Sequence, residues 1–156
     1  MYYRGARRGW QVEKGGQLIV SGNNIVTDLY SPKAPKGSAD FAEKTLGITN
    51  TTELGRFGKG AVKVDVIRNL EGKIMKYSNT LGRNNYIVEK ADVLEPVDGA
   101  YYDPILYFSD SGKTAGIIVD RGKGTVAILS IPFETFLDAG QAATLMKELL
   151  KEIEPE

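Results

Sequence analysis

From Ile105 to Ile131 the chain carries three apolar runs in quick succession: Ile105–Phe108, Ala115–Val119 and Thr125–Ile131. Between them stand only Ser109–Lys113 and Asp120–Gly124, each with glycine among polar turn formers. Runs of this length, punctuated in this way, are strands joined by tight connections. Ile128–Ile131 is nearly continuous in apolar character, which predicts burial on both faces. A helix follows. Ala142, Leu145, Met146, Leu149, Leu150 and Ile153 repeat at helical spacing as one apolar stripe, with Lys147, Glu148, Lys151 and Glu152 on the other side. Asp138 with Gln141 makes a capping box at its start, and Pro155 marks its stop.

Nearer the N-terminus, Gly15-Gly16 precedes the short apolar run Gln17–Ser21, which ends at Gly22-Asn23-Asn24. The pattern predicts a buried strand entered from a helix C-cap and left through a Gly/Asn turn. Ser31–Gly37, with two prolines and two lysines, reads as a loop. Ser38 is placed to cap a short helix, Ala39–Leu46, which Gly47 would stop. Phe41, Ala42, Thr45 and Leu46 share one face of it. A period-two stretch follows. Ala61–Ile67 and Lys73–Tyr77 flank Arg68–Gly72, where Asn69 and Gly72 are turn formers, so a β-hairpin with one wet face is expected. Asn79–Asn85 reads as a loop, Tyr86–Glu89 as another short strand, and Ala91–Pro96 as the turn or loop that closes it. Helix and strand therefore alternate at both ends around an antiparallel β-rich middle. The fold class expected is α/β, one domain over residues 1–156 with an inserted antiparallel hairpin region.

Composition sets limits on function. At 156 residues there is room for one ordinary domain, and 42% apolar content suffices for its core. Twenty basic residues balance twenty acidic ones, which argues against coating nucleic acid or an anionic membrane surface. There is no histidine and no cysteine. Ser-His and Cys-His dyads, haem-histidine ligation, the usual zinc sites and disulfides are excluded together. No apolar run approaches the ~20 residues of a membrane-spanning helix. The basic N-terminus, with Arg4, Arg7 and Arg8 beside Tyr2, Tyr3 and Trp10, lacks the apolar segment of a signal peptide. That cluster reads as a frayed end ahead of a phosphate contact.

Two segments together resemble the class I glutamine amidotransferase-like domain, a flavodoxin-like α/β sandwich. They are Glu13–Asn24 (EKGGQLIVSGNN) and Gly124–Phe136 (GTVAILSIPFETF), the second running into the helix that carries LMKELL. Leu46-Gly47 and Tyr86–Pro96 (YIVEKADVLEP) fit the same order. The similarity is greatest to the version found in large secreted bacterial proteins labelled xanthan-lyase-like or golvesin-associated. A full domain of this kind carries half of its parallel sheet before the Gly-Gly segment, where this chain has only Met1–Lys14. The resemblance therefore implies either a truncated relative or the C-terminal part of a larger domain, completed by another domain or a second copy, within a secreted or periplasmic parent protein. A sheet left open would recruit other strands, so self-association burying on the order of 2,000 Å² or more is expected.

Amidotransferases of this class set a cysteine nucleophile on a sharp strand-to-helix turn, and a histidine in a His-Pro-Glu-like motif after the last strand. The thiolate attacks and the imidazole is its base. By the resemblance, the elbow falls at Ser21, Gly22, Asn23 and Asn24, and the second motif at Ile131-Pro132-Phe133-Glu134. Pro132 and Glu134 survive in kind, whereas the cysteine and histidine do not. Ser21–Asn24 with Pro132, Phe133 and Glu134 thus mark the rim of a degenerate or ligand-binding site with no catalytic residue. Only a lysine base would be left to activate Ser21. Lys14 and Lys44 are near in sequence alone, so Ser21 reads as bonding a turn and Gly22 as supplying its backbone conformation. Glu134 reads as tying down its turn by accepting backbone N–H bonds, ahead of an acid/base role.

No cofactor or metal is expected. Asp98, Asp103, Asp110 and Asp120 lack calcium-loop spacing and read as turn residues. Gly55, Gly58 and Gly60 around Arg56, Phe57 and Lys59 lack the order of a phosphate-binding loop and read as a flexible connection. Tyr101, Tyr102, Tyr107 and Phe108 admit a sugar-stacking platform, one of the last two facing the core by alternation. Three functions compete. The first is a non-catalytic amidotransferase-like module acting in assembly or carbohydrate contact. The second is a polysaccharide lyase or other hydrolase-type enzyme fragment, for which Tyr86 with Arg83 or Tyr77 with Arg68 supply the residue types of base and carboxylate clamp but no recognisable constellation. The third is a small-ligand binder built on Ser21–Asn24 and Glu134. Neither nucleic acid nor membrane is expected as a partner.

Overall fold

The computed structural model describes residues 12, 14–51, 54–56, 60–79, 87–88 and 90–155. In chain order its strands are β1 (Gln17–Ser21), β2 (Leu54–Arg56), β3 (Ala61–Val64), β4 (Ile74–Lys76), β5 (Lys90–Asp92), β6 (Tyr101–Phe108), β7 (Thr114–Asp120) and β8 (Thr125–Leu129). The helices are α1 (Ile25–Leu29), α2 (Ser38–Asp40), which runs on as a π-helical stretch Phe41–Leu46, and α3 (Ala139–Ile153). Six strands form one sheet in the order β1-β8-β7-β6-β3-β4, and β2 pairs with β5 in a separate ribbon. The mixed α/β class expected from the sequence is present. Among the described residues the single parallel pair is β1 with β8, from Gln17 opposite Thr125 to Ser21 opposite Leu129. The hairpin is no side excursion, because β3 also pairs with β6, Val62 opposite Phe108, and so forms the far end of the same sheet.

That sheet closes on itself. The chain leaving β8 returns to the opposite edge. The Ser78 N–H donates to the Thr135 carbonyl at 2.8 Å and the Leu137 N–H to the Lys76 carbonyl at 2.9 Å. Tyr77 and Phe136 form an antiparallel bridge between these bonds. Strands β8, β7, β6, β3 and β4 therefore curl into a ring sealed by residues 135–137, which satisfies an edge that would otherwise be open. Val62, Val64, Met75, Leu106, Phe108 and Leu129 point inward and meet Leu145, Leu149 and Ile153 of α3. On the opposite face Val119, Val126 and Ile128 meet Ala42, Leu46 and Ile48 from the π-helical stretch and its exit, with Val26 of α1.

Several local expectations change in the folded chain. Ser38 does not cap α2. Gly37 holds that position at φ 90°, and the Ser38 hydroxyl donates back to the Pro35 carbonyl at 2.7 Å. Gly47 ends the helical stretch as expected, at φ 76°. A Cβ there would come within 2.8 Å of the Arg121 guanidinium, which itself donates to the Glu43 and Lys44 carbonyls. Of the strand expected at Tyr86–Glu89, the described residues Ile87 and Val88 are not in a strand, and β5 lies where Ala91–Pro96 had read as a turn or loop. Its partner is β2, in the segment that had read as a flexible connection. Tyr86, Glu89, Arg83, Phe57–Lys59 and the N-terminal Arg and aromatic cluster lie outside the described residues. In α3, Asp138 caps as expected by accepting the Gln141 N–H at 3.0 Å. Leu150, placed in the apolar stripe by spacing, is 49% exposed. Glu148, placed on the wet side, is 3% exposed. Burial opposes its charge, but the Lys151 ammonium and the Asn69 amide, each at 3.3 Å, outweigh that and hold its carboxyl below the ordinary range.

Two outcomes follow from this packing. Leu145→Ala removes a fully buried side chain between helix and ring and will lower unfolding free energy by about 2–5 kcal/mol in urea titrations. The Tyr77 phenol is pushed up from 10.0 to about 12, first by burial and then by Asp110. A raised folded-state value leaves stability intact below pH 10 and erodes it as pH climbs toward 12, where the unfolded phenol ionises first. Tyr77→Phe will accordingly flatten the alkaline limb of thermal stability measured by circular dichroism.

Candidate functional site

Parallel pairing of β1 with β8 sends both strand exits to one edge of the sheet. After Ser21, the Gly22 N–H donates to the Leu129 carbonyl at 3.1 Å and holds the turn beside the end of β8. The Ser21 hydroxyl accepts the Phe133 N–H at 3.4 Å. The two motifs separated by more than a hundred residues are thus neighbours. Beyond Pro132 the chain makes a 3-10 turn, Phe133–Thr135. Its pin is Thr135, whose hydroxyl and N–H both reach the Pro132 carbonyl, at 2.7 and 3.0 Å.

Two roles expected from sequence are reassigned. The residue with the left-handed backbone is Asn24, at φ 58°, rather than Gly22. Asparagine tolerates that conformation because its short polar side chain bonds locally. Glu134 is exposed and takes no part in pinning its turn, since Thr135 does so from inside the fold. Of the residues singled out, Ser21 and Phe133 are hydrogen-bonded, and Pro132 precedes Phe133 at the same turn. Asn23 and Asn24 face elsewhere, lining an open cleft of about 440 Å³ with Ile87 and Lys90. The amide oxygen of Asn23 is buried there without a hydrogen-bond partner.

A buried carboxylate completes this end of the molecule. Asp92, on β5, accepts the Thr27 N–H at 3.0 Å and the Thr27 hydroxyl at 2.6 Å. It caps α1 from another element, a role that Asn24 does not fill with its own side chain. Local spacing carried no sign of it, because sixty-five residues separate the partners. Lys90 and Ile87 escaped sequence reading for the same reason.

Among the described residues no side-chain base is bonded to the Ser21 hydroxyl. The chain has no imidazole or thiol, and Lys44 is turned toward Asp40 at 3.5 Å. Tyr77, one candidate lyase base, is buried with a phenol near 12, so it holds its proton at neutral pH, while Arg68 is exposed. Among the described residues no three metal-ligating side chains gather, and no helix is long and apolar enough to cross a membrane. Asp120 serves its turn by accepting the Gly122 N–H at 2.7 Å. Compared with known protein families the chain matches none, and no characterised protein matches its sequence.

Asp92→Ala strips α1 of its cap. The expected loss is about 1–2 kcal/mol in chemical denaturation, with faster amide exchange at Thr27; unchanged exchange there would remove Asp92 from this role.

Proposed function

We propose that the chain is a non-catalytic, amidotransferase-like module of a secreted protein that handles polysaccharide or the cell envelope, and that it acts in assembly or carbohydrate contact. The observation that carries this reading is the contact between the Ser21 turn and the Phe133 turn at the C-terminal ends of parallel β1 and β8. Ligand sites of α/β folds lie beyond the carboxyl ends of parallel strands, as these two turns do. An enzyme of the resembled class would hold its cysteine and histidine at these two turns, and this chain has neither residue. Apolar clusters on both faces of β8 are in keeping with a partial flavodoxin-like sandwich. The outer side of β1 bears no strand among the described residues, which suits completion by another domain or a second copy.

The test is a pair of assays on the purified chain, ammonia release from glutamine and unsaturated-uronate absorbance with acidic polysaccharide. Wild type and Ser21→Ala will both stay at the uncatalysed background. Turnover that disappears with Ser21→Ala would show a nucleophile at the elbow and sink the reading.

A further inference from the structure

Among the described residues, the helical layer that covers Val119, Val126 and Ile128 does not extend over the same face of β6, β3 and β4. There the strand register lines up Ile74, Lys63, Tyr107 and Thr114 in one row across four strands. Register shifts around Leu106 bury Ile105 and Leu106 side by side in the inner core. Tyr102 and Tyr107 consequently share the outer face although five positions separate them, Tyr102 lying opposite Val119. Tyr102 is 45% exposed and Lys63 and Ile74 are exposed. Asp65 follows β3 on this side, close enough that its charge, after burial, raises the Tyr107 phenol together with Tyr102. Lys76 lies two positions beyond Ile74. With Leu137 and Asp138 those two residues border an open cleft of about 600 Å³ that extends the row past the sheet.

We propose that this outward row binds an acidic oligosaccharide, its rings stacked on Tyr102 and Tyr107 and its carboxylates held by Lys63 and Lys76. The apolar C–H face of a pyranose suits a tyrosine ring that is exposed on one side. The protonated Tyr107 hydroxyl donates to sugar oxygens, and Asp65 accepts from sugar hydroxyls. The two carboxylates on this side, Asp65 and Asp138, each accept a backbone N–H, from Val66 and Gln141, which leaves the two ammonium groups to meet an anionic ligand. A peptide strand is a poorer fit, because β3 and β6 are each paired on both sides and offer no free edge. A nucleic-acid strand carries a phosphate at every step, which two lysines in a chain of zero net charge do not match.

The site rests on the carbohydrate-contact reading and gives it an address. The full chain is titrated calorimetrically with oligogalacturonate, a neutral cello-oligosaccharide and oligothymidylate, at low and high salt. Oligogalacturonate should bind saturably, more tightly than the neutral sugar and with clear salt sensitivity. Tyr107→Ala should weaken it by about tenfold or more. Lys63→Gln, at a solvated position that cannot unfold the core, should weaken the acidic ligand alone and flatten its salt dependence. Binding that neither substitution alters overturns this site and leaves the carbohydrate reading standing. Absence of binding to either saccharide removes both. Preference for oligothymidylate overturns the saccharide assignment.

Discussion

β8 is hydrogen-bonded on both sides and buried on both faces, and the other layers are arranged around it. Its alternation sends Val126 and Ile128 to one core and Ala127 and Leu129 to the other. The start of the strand is fixed by backbone contact: a side chain at Gly124 would collide with the carbonyls of Val12 and Gly16, so nothing larger than glycine fits beside the approach to β1. Beyond its end, the Ser130 hydroxyl donates to the Ala115 carbonyl at 3.0 Å inside the protein, satisfying a polar group that would otherwise be costly to bury. From there the chain crosses to β4 and seals the ring. One strand therefore sets the position of β1, the course of the sheet and the seat of α3.

The arrangement of the candidate site follows from that anchoring. Had β1 paired antiparallel to β8, its exit would lie at the opposite edge, and Ser21 would never meet the turn after Pro132. Parallel pairing puts the two turns together, while the loops at this end are tied by residues from β5: Asp92 to α1, and Lys90 beside Asn23 and Asn24. What results is a strand-end edge held by backbone and capping hydrogen bonds, in a chain without imidazole or thiol. The side chains suited to recognition lie elsewhere, on the outer face of β6 and β3, where the register shift in β6 turns two tyrosines the same way.

Sequence reading succeeded where a signal is local. The runs at Ile105–Phe108, Ala115–Val119 and Thr125–Ile131 became β6, β7 and β8, because period, length and bounding glycines all lie within a few residues. The Asp138 cap and the stop at Gly47 were legible for the same reason. It failed where a partner is remote. Lys90–Asp92 is a strand because Leu54–Arg56 lies alongside it. Glu148 is buried because the Asn69 turn folds over α3 and supplies an amide. Within the site, Ser21, Pro132 and Phe133 came from motif order, whereas Asp92, Ile87 and Lys90 had no local mark.

By itself the amino-acid sequence determined the α/β class, the main strands and terminal helix, and the absence of any imidazole or thiol chemistry, since these depend on composition and short-range periodicity. Tertiary structure alone decided that β1 runs parallel to β8, that the sheet curls shut through residues 135–137, and which side chains of β6 face outward. Those choices turn on backbone hydrogen bonds and register between segments far apart in the chain, and a shift of one residue in register exchanges the buried face for the exposed one.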